Sequence, residues 1–312
     1  MEIQHDNFKL HDRAIGSVLG LAVGDALGTT LEFSRRDQYP PVTDIVGGGP
    51  FKLEPGEWTD DTATALAFAE SLLSCRGLDE ANLMNRLLDW YQSGAYSCTG
   101  NCFDIGNTTR DALMRFRETG DPVAGSTSVH SAGNGSLMRL SPVAVLYFHN
   151  RARLTDIARR QSVVTHGAVE AVDACIVFAE VLAEAINGTP KAELLEPRSR
   201  NVAPAVAEIV AGNWRDKSRD EIQSTGYVVH SLEAAIWSVG NSNSFEEAII
   251  LAANLADDAD TVAAITGQLV GAIWGATAIP DRWLDCLAWR DRIERVADGL
   301  FHAARTEMEQ NK

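Results

Sequence analysis

The sequence predicts an all-α fold in which residues 1–312 form one domain. Apolar residues recur at helical spacing along most of the chain, and no sustained apolar/polar alternation indicates a sheet. Alanine-rich helical segments joined by short polar connections are typical of a helical bundle. No connection is long enough, or biased enough in composition, to act as a linker between two domains.

The first predicted helix covers residues 13–28, "RAIGSVLGLAVGDALG". Four of its glycines follow one another at a spacing of four residues: Gly16, Gly20, Gly24 and Gly28. This spacing places them on one helical face, where the missing side chains allow another backbone to come close. Membrane helices use the same pattern, but the charges of Arg13 and Asp25 argue against a membrane here.

Further helices are predicted where apolar residues keep amphipathic spacing, at residues 62–73, 168–186 and 262–274. Stretches containing proline and glycine at 40–50 and 187–204 are predicted to be loops within the domain. The chain therefore consists mainly of long helices with short joints between them.

Composition narrows the class of partner. The chain has 43 acidic and 27 basic residues, a formal net charge of −16. Such a surface repels phosphate backbones, so we expect no nucleic-acid partner, whereas a cationic ligand would suit it. The five cysteines are scattered, the N-terminus has no charged-then-apolar leader, and no uninterrupted apolar run reaches 18 residues. We expect a cytoplasmic monomer without a membrane partner.

An acidic segment opens the helix predicted at 62–73. Residues 56–73 read "GEWTDDTATALAFAESLL", so Thr59, Asp60 and Asp61 place three oxygen-bearing side chains directly before the helix. One interpretation is helix capping, because Asp and Thr satisfy the free N–H groups of a first turn and negative charge suits the helix dipole.

A second acidic segment repeats this arrangement about 200 residues later. Residues 254–274 read "NLADDADTVAAITGQLVGAIW", with Asp257, Asp258, Asp260 and Thr261 directly before an apolar helix. One acidic helix start is explained by capping, but two of similar composition suggest that the segments face each other.

The energy of such a convergence favours metal ions. If Asp60, Asp61, Asp258 and Asp260 met with about 5 Å between charges, each pair would repel by roughly 3 kcal/mol. The sum over all pairs would exceed the ~5–15 kcal/mol stability of a whole domain. Divalent cations would relieve this repulsion, and all-oxygen ligands suit Mg²⁺ or Mn²⁺ better than zinc. If the segments stay apart, the capping interpretation remains.

Six segments occur in a specific order: "GLAVGDALGTTLEF" (20–33), "PGEWTDDT" (55–62), "CFDIGNTTR" (102–110), "SAGNGSLMRLSPVA" (131–144), "THGAVEAVDAC" (165–175) and "DDADTVAAITGQLVGAIWG" (257–275). Together they resemble the ADP-ribosylglycohydrolase family, in particular its bacterial branch that includes the dinitrogenase reductase-activating glycohydrolase. The resemblance covers about residue 12 to about residue 284. Each segment alone is weak evidence, but six in this order are highly specific.

The resemblance implies a compact orthogonal helical bundle with a central cleft that holds two divalent cations, Mg²⁺ or Mn²⁺. It implies these metal ligands: Thr59, Asp60, Asp61, Asp258, Asp260 and Thr261. The family's acidic residue after the glycine-rich first helix matches Glu32. Asp257 departs from the pattern, since some relatives have glycine there, and it would add charge beside the metals.

A glycine-rich segment, "AGNGS" (132–136), precedes an apolar stretch and is predicted to open a helix, whose free N–H groups would bind an anion. An ordinary glycine turn is the alternative. By resemblance, the cradle for the diphosphate and ribose of ADP-ribose includes Gly133, Asn134, Gly135 and Met138.

Two ring-bearing residues are implied to contact the substrate. The resemblance places His166 near the substrate, although a lone histidine at a helix start is often structural. It places Tyr227 where relatives stack an aromatic ring on the nucleotide, although aromatic rings usually belong to the core.

Asp104 and Asn107 lie in "CFDIGNTTR", where a turn alone would explain them. By resemblance, this pair reaches the ribose that carries the bond to be cleaved. The implied catalytic residues are Asp104, Glu32, Asp60 and Asp258.

The expected activity is metal-dependent hydrolysis of the N-glycosidic bond between ADP-ribose and an acceptor, with protein arginine as the expected acceptor. The partner would be an ADP-ribosylated protein or a small ADP-ribose conjugate. Alternatives are hydrolysis of serine-linked or small-molecule ADP-ribose, a non-catalytic crystallin-like relative, and a binuclear phosphoesterase of another fold.

Overall fold

The protein, described by a computed structural model over residues 2–310, is helical, and the predicted all-α class is confirmed. Within that range, strand-type backbone pairing occurs only as isolated bridges. The α-helices are α1 Glu2–Gly28, α2 Asp60–Cys75, α3 Glu80–Ser93, α4 Asn107–Thr119, α5 Ser141–Tyr147, α6 Arg151–Val163, α7 Val169–Ile186, α8 Lys191–Leu194, α9 Pro204–Val210, α10 Val228–Gly240, α11 Phe245–Ala253, α12 Ala259–Trp274, α13 Asp281–Cys286 and α14 Arg290–Gln310. Short 3₁₀ turns lie at Thr29–Leu31, Val129–Ser131, Arg219–Glu221 and Ala276–Ala278.

Local sequence signals explain several helix ends. The side chain of Asp79 accepts a hydrogen bond from the Asn82 amide and so starts α3. Helices α3 and α4 each end at a glycine in the left-handed conformation, Gly94 at φ 69° and Gly120 at φ 73°. These caps explain why α3 and α4 begin or end where they do.

The glycine stripe of α1 packs against the backbone of α12, which confirms the predicted close approach. A Cβ atom added at Gly16 would lie 2.5 Å from the Gly271 carbonyl oxygen, and at Gly20 it would be closer still to Gly267. The partner positions descend along α12 as those of α1 ascend, so the two helices are antiparallel. The C-terminal end of α1 therefore lies beside the first turn of α12.

Helix α1 belongs to the interior of the bundle. The segment Asn7–Leu31 is long and apolar enough to cross a membrane by length and composition. However, 94% of its apolar window is buried within the protein, as in the core helix of a helical bundle. This burial agrees with the expectation from Arg13 and Asp25 that the stripe serves packing within the protein.

A buried glutamine connects α12 to the segment that follows the glycine-rich loop. The Oε1 of Gln268 accepts a hydrogen bond from the Ser141 amide at 2.7 Å, and its Nε2 donates to the Met138 carbonyl at 2.7 Å. Satisfying these backbone groups inside the core avoids the cost of burying them unpaired. The contacts hold the segment that follows the glycine-rich loop against α12.

Candidate active site

The two acidic segments meet, so the predicted convergence is confirmed. The hydroxyl of Thr59 lies 3.1 Å from Oδ2 of Asp260 and 3.2 Å from Oδ2 of Asp61. The hydroxyl of Thr261 lies 3.4 Å from the same Asp61 oxygen. All four side chains are buried. The first turns of α2 and α12 therefore share one polar site inside the bundle.

Carboxylate oxygens in this site form two groups that could each hold a metal ion. One group is Asp25, Asp61 and Asp260, and the other is Glu32, Asp258 and Asp260. Within each group the oxygens lie within 4.8 Å of one another. Asp260 belongs to both, which is the arrangement expected of a carboxylate between two adjacent cations.

Helix capping does not account for the acidic residues of α2. The N-cap residue Thr59 makes no side-chain capping bond. Instead, the Asp25 carboxylate on α1 accepts hydrogen bonds from the backbone amides of Thr59 at 2.8 Å and Thr62 at 2.9 Å. The carboxylates of Asp60 and Asp61 are therefore left available for other partners.

Helix α12 is also capped by a carboxylate from a residue outside the helix. Asp258 is its N-cap residue and makes no side-chain capping bond. Oε2 of Glu32 accepts hydrogen bonds from the amides of Ala259 at 2.7 Å and Asp260 at 3.4 Å. Each acidic helix start is thus capped by a carboxylate near the C-terminal end of α1, and the capping interpretation of Asp60, Asp61 and Asp258 is wrong.

The electrostatics of the site are those of crowded, buried acids. Burial, followed by the Asp260 charge, raises the pKa of Asp25 to about 7, and the same causes raise that of Asp258 to about 7. The pKa values of Asp60, Asp61 and Glu32 are raised well above their usual range, again mainly by burial. Without a cation, the folded protein must hold protons at some of these carboxyl groups.

An unpartnered oxygen tests whether a cation fits here. Oδ1 of Asp61 is buried and has no hydrogen-bond partner among the described residues. A buried acceptor without a partner is costly, and a metal ligand bond would satisfy it. The surrounding donors are carboxylate and hydroxyl oxygens, which suit hard divalent cations. The residues present therefore fit a metal centre.

A cleft of about 630 Å³ opens onto this acidic site. Twelve of the residues singled out from the sequence line it: Glu32, Asp60, Asp104, Asn107, Gly133, Asn134, Gly135, Met138, His166, Tyr227, Asp258 and Thr261. Thr59, Asp61 and Asp260 are buried beside its acidic end. The structure thus brings every candidate residue to one site.

Asp104 reaches the cleft from the connection before α4. Its backbone is in the left-handed region at φ 59°, where Asp and Asn are tolerated better than most side chains. Burial and the charges of Asp260 and Asp60 raise the pKa of Asp104 to about 11. Asn107 is the first residue of α4 and is exposed on the cleft wall.

The prediction that the glycine-rich loop opens a helix is wrong. Residues 135–139 form turns, and α5 begins only at Ser141, where Pro142 suits a first turn because its missing N–H needs no partner. The NH₂ group of Asn134 is occupied within the protein, since Nδ2 donates to Oδ2 of Asp258 at 2.5 Å and to Ser231 at 2.8 Å. Asn134 therefore orients a carboxylate of the acidic site.

His166 lies beneath the glycine-rich loop, and its tautomer follows from its neighbours. The buried Thr165 hydroxyl accepts a hydrogen bond from Nη2 of Arg139 at 2.9 Å and lies 2.9 Å from Nδ1 of His166. Among the described contacts, Nδ1 is the acceptor available for the hydroxyl hydrogen, so Nε2 carries the ring proton. A Cβ atom at Gly133 would lie 3.3 Å from that Nε2.

The charge of His166 is also determined by its surroundings. Burial, with the Arg139 charge as a second cause, lowers the pKa of His166 to about 3. The ring is therefore neutral near neutral pH and can offer an Nε2–H to a ligand, but it does not titrate there. Structural and substrate-binding interpretations of His166 are thus compatible.

Tyr227 lines the cleft beside the glycine-rich loop. It forms an isolated antiparallel bridge with Gly133, and its hydroxyl donates to Glu170 at 2.7 Å. The His230 ring meets the tyrosine ring edge-on, with centroids 4.9 Å apart. These contacts hold a partly exposed ring at the cleft, where it can contact a ligand.

The sequence analysis missed Asp25 as a ligand candidate. In the sequence, Asp25 was evidence only against a membrane, but it is fully buried and belongs to one carboxylate group of the site. The available signal was a single carboxylate inside an apolar, glycine-rich helix, because such a buried charge needs partners.

Comparisons with known proteins agree with this geometry. The sequence model of the family described as ADP-ribosylglycohydrolase matches residues 6–310. ADP-ribosylarginine hydrolase Tri1 of Pseudomonas putida (strain GB-1) is 49% identical over 293 residues, covering 94% of this chain and 79% of that protein.

Two further matches extend over nearly the whole chain. ADP-ribosyl-[dinitrogen reductase] glycohydrolase of Rhodospirillum rubrum is 32% identical over 303 residues, covering 95% of this chain and 97% of that protein. A solved structure described as an ADP-ribosylglycohydrolase-related protein complex superposes with a TM-score of 0.86 at 42% identity, covering 95% of this chain and 99% of that one.

Proposed function

The chain belongs to the ADP-ribosylglycohydrolase family, and on this premise we propose that it hydrolyses the N-glycosidic bond between ADP-ribose and the guanidinium group of a protein arginine. Similarity to a protein named as an ADP-ribosylarginine hydrolase supports arginine as the acceptor. The observation that carries the proposal is the buried pair of carboxylate groups sharing Asp260 at the end of a cleft of about 630 Å³.

The cofactor in this proposal is a pair of divalent cations, Mg²⁺ or Mn²⁺. Their ligands would be the carboxylates of the two groups together with the hydroxyls of Thr59 and Thr261. Asp60 belongs to neither group but lines the cleft, and we propose it as a further ligand. When bound, such cations supply the charge that holds ribose hydroxyls and makes water a better nucleophile. The unpartnered Asp61 oxygen supports this assignment.

The chain's own residues would divide the remaining work. Asp104, at the cleft wall, would hold or transfer a proton at the ribose that carries the bond to be cleaved. The backbone around Gly133 and Gly135, with the Nε2–H of His166, would contact the diphosphate. Tyr227 would contact the nucleotide, and Asn107 a ribose hydroxyl.

The test is release of free ADP-ribose from arginine-, serine- and nucleotide-linked substrates. We expect release from the arginine-linked substrate with Mg²⁺ or Mn²⁺, its loss with chelator, and its loss in Asp60→Asn and Asp258→Asn. Asp89→Asn is the matched control, because Asp89 is exposed on α3 away from the cleft.

The alternatives give different results. If ADP-ribose were released only from the serine- or the nucleotide-linked substrate, the acceptor would be serine or a nucleotide and not arginine. No release from any of the three, with Mg²⁺ and Mn²⁺ both supplied and the fold intact, would contradict the hydrolase assignment.

A further inference from the structure

Two exposed side chains at the mouth of the cleft have no role in the proposed chemistry. Phe33 follows Glu32 and is 66% exposed, and Asp257 precedes Asp258 and is also exposed. Both residues line the cleft that contains the candidate metal ligands.

The backbone holds this pair together. The amide of Phe33 donates to the Asp257 carbonyl at 2.7 Å, and the amide of Asp257 donates to the Ser34 carbonyl at 2.9 Å. Both residues are in the left-handed region, Phe33 at φ 57° and Asp257 at φ 64°. This conformation is uncommon for a bulky side chain, and strain of this kind concentrates at functional sites.

The side chains are also available to a ligand. Within residues 2–310, the Asp257 carboxylate has no hydrogen-bond or ion-pair partner. Among the aromatic rings of the described residues, the Phe33 ring pairs with Phe51 edge-on, with centroids 6.1 Å apart, and it is largely open to solvent. An exposed aromatic ring and an unpaired carboxylate on neighbouring backbone segments together match a flat organic cation.

We propose that Phe33 and Asp257 form the acceptor subsite, which binds the guanidinium group of the ADP-ribosylated arginine. A planar guanidinium can stack on an aromatic face while donating two hydrogen bonds to a carboxylate. The neighbouring acid Asp258 belongs to one carboxylate group of the candidate metal centre, whereas Asp257 is exposed and belongs to neither group. This inference rests on the proposed function and adds the residues that distinguish arginine from an uncharged acceptor.

The test compares two peptides of the same sequence, one carrying arginine-linked and the other serine-linked ADP-ribose. The variants are Phe33→Leu, Asp257→Asn and their combination, with Asp89→Asn as the control for loss of one negative charge. Asn tolerates the left-handed backbone of position 257, so Asp257→Asn removes the charge without a new conformational cost. Binding of free ADP-ribose, measured by calorimetry, reports on the rest of the cleft.

We expect the combined variant to lower kcat/KM for the arginine-linked peptide by about tenfold, as an exposed ion pair and a cation–π contact together would. The KM should rise more than kcat falls, and ADP-ribose affinity and any turnover of the serine-linked peptide should stay unchanged. High salt should reduce the difference between wild type and Asp257→Asn.

Two results would overturn the inference, and they are distinguishable. If the wild type cleaves the arginine-linked peptide and the combined variant does so equally well, the subsite is wrong and the proposed function stands. If the wild type does not cleave the arginine-linked peptide at all, the proposed acceptor and this subsite both fail.

Discussion

The Asp25 carboxylate, on α1, accepts hydrogen bonds from both the amide and the hydroxyl of Thr59, at 2.8 and 2.9 Å. This contact joins two residues 34 positions apart and caps the helix that carries Asp60 and Asp61. One carboxylate therefore starts α2, orients a candidate metal ligand, and belongs to a group that could hold a cation.

The first prediction concerns Asp25 and distinguishes its capping of α2 from the effect of its negative charge. Asp25 also accepts from the amide and hydroxyl of Thr62, so Asp25→Asn would turn an NH₂ group toward a donor. We expect this variant to be about 1–3 kcal/mol less stable in urea unfolding than Asp61→Asn, measured without metal. Both remove one buried carboxylate, so equal stabilities would show that the cap contributes nothing.

The second prediction concerns pH and metal. In the folded protein, the pKa values of Asp25 and Asp258 are raised to about 7 from 3.8, so protonation of these two carboxyl groups favours the folded state. Protonation of each group stabilises the folded state by about 4 kcal/mol. This stabilisation is complete below about pH 4 and is lost as pH rises through about 7. We expect Mn²⁺ or Mg²⁺ to raise Tm more at pH 8 than at pH 5, because the metal binds the deprotonated site.

Thermal melts with and without chelator between pH 4 and pH 8 measure this effect. The Asp258→Asn variant is the comparison, since it removes one of the titrating groups and should show a weaker pH dependence than wild type. A Tm that is indifferent to metal at every pH would contradict the assignment of this site as a metal centre.

The third prediction concerns proton transfer by Asp104. Asp104→Asn keeps the size of the side chain, and Asn tolerates the left-handed backbone at φ 59°. If the carboxyl handles a proton, kcat should fall by ~10²–10⁴-fold while ADP-ribose affinity changes far less. Asn107→Ala should instead weaken binding at least as much as turnover, because an amide holds a hydroxyl but exchanges no proton. Wild-type rates for Asp104→Asn would assign the proton to Glu32.

The fourth prediction concerns the packing that brings the acidic residues together. A Cβ at Gly24 would enter the Ala263 backbone of α12, so Gly24→Ala must separate the two helices next to Asp25. We expect a loss of about 1–3 kcal/mol in stability and weaker metal binding, measured by urea unfolding and by metal-dependent Tm. Gly299→Ala is the control, since its Cβ would meet only the Leu73 side chain at 3.3 Å.

Local patterns in the chain were sufficient for some elements and not for others. The helices predicted at 168–186 and 262–274 correspond to α7 and α12, because the helical period is a property of neighbouring residues. The glycine-rich loop was predicted to open a helix and instead forms turns, because it and the residues just after it bond to Ser231, Asp258 and Gln268, which are distant in sequence.

By itself, the sequence determined the all-α class, the close-packed face of α1 and the two acidic helix starts. Each of these features depends on the spacing of residues that lie within one or a few helical turns of each other. Tertiary structure alone decided that Asp25 and Glu32 cap those helices, that Asp260 belongs to both carboxylate groups, and that Phe33 stands beside Asp257. Except for the Asp25 cap, which joins α1 to α2, these relationships depend on the antiparallel contact of α1 with α12, which brings residues more than 200 positions apart to within hydrogen-bond distance. Glycine has no side chain that would indicate which helix it contacts, so only the packed structure identifies α12 as the partner of α1.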